Sequence, residues 1–177
     1  MKVKLIGAVA AAVMALVVAL PSVLAASSAL AIKSQSARYQ SSTGMVKFRI
    51  VFNRAPDFST SDAYGNQADS FQYFVGDASS PQVPAHFDSI IRGEEIHSIG
   101  RIPIRNAVPP DPLSTSGWGT IRGEVPFTLH GRVLRFSAPL SMLTDRVALA
   151  SLPYQLEAYE FGSWNGVTIL GHIRLRR

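Results

Sequence analysis

Apolar and polar residues alternate with a period of two over several short stretches of the chain, the pattern of strands with one face buried. The plainest case runs from Gly119 to Leu140. Ile121, Val125, Phe127 and Leu129 alternate with Arg122, Glu124 and Thr128, and His130-Gly131 then interrupts the run. A tight hairpin turn wants φ > 0 at its centre, which Gly accepts freely and His tolerates better than most residues. With the turn there, Leu129 lies opposite Arg132, Phe127 opposite Leu134, Val125 opposite Phe136 and Gly123 opposite Ala138. One face of the ribbon is then apolar on both strands.

The same period marks Val46, Phe48, Ile50 and Phe52, ended by Arg54-Ala55-Pro56, and again Phe71, Tyr73 and Val75, closed by Gly76-Asp77. Phe87 to Arg92 and Glu94 to Arg105 read as further strands. Gly100 and Pro103 interrupt the second of these, and Pro103 marks it as an edge or bulged strand, because proline cannot donate to a ladder. Tyr154 to Trp164 and Val167 to Leu175 flank Asn165-Gly166, the strongest short hairpin signal. That register sets Glu160 opposite Gly171, Tyr159 opposite His172 and Glu157 opposite Arg174. The pattern predicts an all-β fold, a single antiparallel, jelly-roll-like β-sandwich of about eight strands spanning residues 45–177. Residues 27–44, rich in Ser, Ala, Gln and Thr without periodicity, read as a flexible lead-in.

The first residues change the picture of where the protein acts. Met1-Lys2-Val3-Lys4, an apolar run from Leu5 to Leu20, Pro21 and then small residues form the pattern of a secretory signal peptide. Cleavage is expected near Ala26, with Ala25 and Ala31 as the other small-residue positions, so the expected location is secreted or periplasmic. The apolar run is shorter than the about 20 residues of a membrane span, and no other stretch qualifies once it is removed. Without Lys2 and Lys4 the formal charge falls from +5 to +3, and Arg174, Arg176 and Arg177 supply that excess at the C-terminus. The body carries no basic stripe, which argues against nucleic acid. The absence of cysteine removes disulfides, thiolate metal sites and a Cys nucleophile together.

Candidate chemistry is sparse. There is no G-x-S-x-G elbow and no Gly-rich phosphate loop. His86, His97, His130 and His172 lack metal-ligand spacing, although a three-histidine zinc site drawn from distant strands is open. Asp57, Asp62 and Asp69, in a polar loop with Asn66 and Gly65, offer oxygens for a calcium ion without matching the EF-hand pattern. Glu157 and Glu160 are the weak candidates for a catalytic carboxylate pair, but residues three apart on a regular strand point to opposite faces. Glu160, the one charge on the apolar face of the last hairpin, is expected to line a cleft beside the open space at Gly171, or else to be buried against an arginine of the facing sheet. Trp118, after a Pro-rich loop, with Tyr159, Trp164 and His172, completes the candidate binding set.

These features favour an exported, non-catalytic binding module for a glycan or a surface protein. The other expectations are a polysaccharide hydrolase with Glu160 in its cleft, and an assembly subunit that adds a strand to a partner through the Pro103 edge or the lead-in.

Overall fold

The computed structural model describes residues 29–77, 86–107, 119–145 and 150–175, apart from the side chains at positions 77, 86, 97 and 164–167. Among these, ten strands form two antiparallel sheets packed face to face. The strands are β1 (Ile32–Gln40), β2 (Met45–Phe52), β3 (Asp69–Asp77), β4 (His86–Arg92), β5 (Ile102–Asn106), β6 (Ile121–Val125), β7 (Phe127–His130), β8 (Val133–Pro139), β9 (Ser151–Glu160) and β10 (Ser163–Arg174). One sheet has the order β1-β2-β8-β7, the other β10-β9-β3-β4-β5-β6. The only helices among the described residues are a 3-10 turn, Gly93–Glu95, and two short pieces, α1 (Ile96–Ile99) and α2 (Leu140–Leu143). None of them is long and apolar enough to cross a membrane.

Alternation decides which residues meet between the sheets. Val46, Phe48, Ile50 and Phe52 of β2 face Phe71, Tyr73 and Val75 of β3, and all are buried. Phe48 stacks on Phe136 with ring centroids 4.6 Å apart, and the Tyr73 edge meets Phe48 at 5.1 Å, so aromatic rings join the two sheets at the centre.

Several expectations are corrected. Residues 27–44 are not all lead-in: Ile32–Gln40 is a strand laddered to β2, and the fully buried Leu30 precedes it. Its polar sequence hid it, because as an edge strand it gives the core only Ile32, Ala37 and Tyr39 and depends on backbone pairing for the rest. The alternating run from Ile121 to Leu129 is two strands in two sheets. Pro126, with no N–H to donate, marks the corner where the chain leaves β6 of the six-stranded sheet for β7 of the other. Val125 therefore pairs with Ile102 and Gly123 with Ile104, rather than with Phe136 and Ala138. The β7–β8 turn sits at Gly131-Arg132, with Gly131 at φ 56° and Phe127 opposite Phe136. Pairings move by two residues, which keeps every side chain on its expected face.

The last hairpin shifts further, by six residues at Glu157 and eight at Tyr159, again an even number that keeps the faces. Its turn is Phe161-Gly162, with φ of 45° and 74°, while Asn165-Gly166 lies in a bulge where three residues of β10 oppose one of β9. The physical cause is the edge of β3, whose ladder begins opposite Glu160 and whose flanking Ala68 carbonyl holds the Phe161 N–H at 3.0 Å, fixing the turn there. Gly171 consequently faces Tyr154, and a Cβ there would lie 2.3 Å from the Tyr154 hydroxyl, so the space expected beside Glu160 is filled by a ring elsewhere. Finally, Glu94 to Arg105 is a 3-10 turn, α1 and then β5. Pro103 lies in an interior strand at the point where pairing with β4 has already ended, and so it costs no ladder bond on that side.

Candidate functional site

On β3 the residues that do not face the core are Ser70, Gln72 and Phe74. The pairing brings Tyr159 and Glu157 of β9 beside Ser70 and Gln72, and Arg92 of β4 beside Gln72 on the other flank. Ser70, Gln72, Phe74, Arg92 and Tyr159 form the floor of a cleft of about 570 Å³ on the outer face of the six-stranded sheet. One wall is Gly65, Asn66 and Gln67 together with Gly162; the other is Glu94, Glu95 and Ser98. Gln67 fixes the walls to each other, since its buried amide donates to the carbonyls of Asp69 and, at 2.9 Å, of Gly93. Gly93 must be a glycine here: a Cβ would come within 2.4 Å of the Phe71 ring.

The floor is charged and internally matched. Arg92 pairs with Glu94 and, at 3.1 Å, with Glu95, and Arg105 grips Glu95 with two donors at 2.9 and 2.8 Å. Burial, only partly offset by Glu95, brings the Arg92 guanidinium down to about 10, so it stays cationic at neutral pH. Glu157, almost fully buried, accepts from Gln155 at 2.7 Å, from Thr168 at 2.9 Å and from the Tyr159 hydroxyl. Burial first, then Glu157, hold the Tyr159 phenol well above its ordinary range, so it remains a neutral donor. Gln72 donates to Glu94 through Nε2, while its buried Oε1 meets no donor.

Of the residues expected from sequence, only Tyr159 lines this cleft, with Glu157 next to it. Glu157 pairs with Thr168 and not with Arg174. Glu160 lies on the opposite face, where Arg54, just past β2, binds it at 3.0 Å and clasps Asp69 with both terminal nitrogens. Glu160 thus does not line this cleft; it pairs with an arginine as the alternative had it, but with its side chain 34% exposed it is not the buried half of a pair. His172 is opposite Pro153, six positions and about 20 Å along β9 from Tyr159. Trp118 and the Trp164 side chain lie outside the described residues. The three aspartates do not converge: Asp57 binds Ser59 and Thr60, Asp62 binds Tyr64 and Asn66, and Asp69 binds Arg54. Among the described residues no group of three acidic or histidine side chains is placed to hold a metal, and His130 is the last residue of β7 rather than a turn residue.

Sequence reasoning did not single out Ser70, Gln72 or Arg92. Their signal was present in part, because the alternation that buries Phe71, Tyr73 and Val75 places Ser70 and Gln72 on the opposite face. What brings Arg92, Glu94 and Glu95 beside them is the β3–β4 register, which no local pattern encodes. No protein-family model matches the chain, and neither a curated protein nor a solved structure is significantly similar to it.

Proposed function

We propose that the protein is an exported, non-catalytic binding module that uses a jelly-roll-like frame to present the cleft between Gln72, Arg92 and Tyr159 to an extended polar ligand, foremost a glycan. The observation that carries this reading is the cleft itself, whose size suits a small ligand and whose floor is built of fixed polar side chains on rigid strands. Its rim supports the same reading. Phe161, the one non-glycine residue with positive φ among the described residues, is 46% exposed next to Gly162, and Tyr64, beside Gly65, is 91% exposed. A strained backbone that holds an apolar ring in water is a feature that binding sites retain at a cost in stability. Hydrolysis is less well supported. Glu94 and Glu95 are both engaged by arginines rather than set apart as an acid and a nucleophile flanking one bond.

A second reading, an assembly subunit, is favoured by β10, a twelve-residue edge strand with Leu170 70% exposed. A glycan array and a reducing-sugar assay on the mature protein separate the readings. Binding without release of reducing ends is expected, release overturns the non-catalytic assignment, and silence in both tests leaves assembly as the better account.

A further inference from the structure

We propose that the cleft selects a neutral, hydroxyl-rich saccharide and that Gln72 Oε1 is the acceptor that recognises it. This rests on the binding-module reading above. The Glu94 carboxylate has no hydrogen to give, so the Gln72 amide must turn its NH₂ toward Glu94, which leaves the oxygen as the free end. Gln72 is only 3% exposed, and no donor reaches that oxygen. A buried amide oxygen without a partner is a standing cost, removed when a ligand supplies a donor. The last torsion of a glutamine is soft, so a small rotation presents the oxygen to the cleft.

Charge then restricts the donor. Arg92 is committed to Glu94 and Glu95, and Arg105 to Glu95, so no cation is spare for a carboxylate, sulfate or phosphate. Gln72 Oε1 is a buried acceptor that no donor reaches, which calls for a ligand that gives a hydrogen bond there. Sugar hydroxyls do this without charge, and the rings of Phe161 and Tyr64 beside the rim offer apolar faces to the C–H side of a pyranose. An amine would also donate, but it would compete with Arg92 and Arg105 for the same carboxylates and lose affinity with salt.

The test is calorimetric titration of the mature protein with neutral hexasaccharides (cellohexaose, xylohexaose, mannohexaose, maltohexaose), an anionic hexagalacturonate and a cationic chitosan hexamer. At least one neutral probe is expected to bind more tightly than both charged ones, with an affinity that changes less than about twofold between about 50 and 500 mM NaCl. Gln72→Met, which also gives up the bond to Glu94 but still folds cooperatively, is expected to weaken that binding at least about tenfold, the loss of one buried hydrogen bond. A charged probe that binds best, a steep salt dependence of the wild type, or a folded Gln72→Met with wild-type affinity overturns this inference and leaves the module reading standing. Binding of none of the probes overturns both. The salt and charge arms use wild type alone, so they decide the matter even where the variant does not fold.

Discussion

At the scale of single residues, charges that are buried count for more than charges that are merely paired. Arg54 holds two carboxylates of unequal status, Asp69 with a side chain 2% exposed and Glu160 with one 34% exposed. Removing Asp69 breaks the contacts of both Arg54 terminal nitrogens to it and takes a charged acceptor from the Asp57 N–H in a buried place, whereas removing Glu160 leaves Arg54 still clasped by Asp69. Asp69→Asn is therefore expected to cost about 3 kcal/mol and Glu160→Gln about 1 kcal/mol or less, read from denaturant midpoints. Equal losses would show that Glu160 matters as much as Asp69 to the fold. Asp57 supplies a pH test. The Thr60 and Ser59 hydroxyls, with the Ser59 backbone N–H, hold its carboxyl at about 2, below the ordinary 3.8. A depressed carboxylate stabilises the fold above its unfolded pKa and loses that contribution as the pH falls through its folded one. The stability difference between wild type and Asp57→Asn should thus be full above about pH 4 and close toward pH 2. A gap that stays constant across this window contradicts the proposed turn bonds.

At the scale of elements, β2 and β3 were legible because their alternation is strong and a buried face has one solution. Both hairpins were legible as hairpins with the right faces, but each turn was misplaced. Asn165-Gly166 is the better local turn, yet the partner strand β3 ends β9 at Glu160 and forces the turn onto Phe161-Gly162. Phe161 pays in strain for this, since a left-handed backbone opposes an aromatic Cβ. Phe161→Asn restores a favoured Asn-Gly turn and should raise stability by about 1 kcal/mol while weakening ligand binding. A loss of stability would mean that the ring packs against the fold and is not a rim group. The polar β1 was invisible to periodicity, and its consequence concerns processing. Leu30 is fully buried, and Asn53 ties the backbone around it through Ala31 N at 2.9 Å and the Ala29 carbonyl at 2.9 Å. Cleavage after Ala31 would remove that anchor, so N-terminal sequencing of exported protein should find a start at Ala26 or Ser27. A mature chain that begins at Ile32 with full stability contradicts the anchoring role.

At the scale of the whole molecule, the sequence carried the sandwich but not the cleft. Faces follow from a period that each strand states for itself; neighbours across a sheet follow from registers that several strands settle jointly. Tyr159 was found because an aromatic on a strand draws notice alone, whereas Gln72 becomes informative only when Glu94, Arg92 and Tyr159 surround it. The central claim is that this outer face of the six-stranded sheet is where ligand is taken. Its most direct test is an amide chemical-shift titration of isotopically labelled mature protein with the neutral hexasaccharide pool. The account predicts shifts concentrated at Gly65–Gln67, Ser70, Gln72, Arg92–Glu95 and Tyr159–Gly162, with β2 and β8 unmoved. Saturable shifts confined to the opposite sheet or to the β10 edge would contradict it.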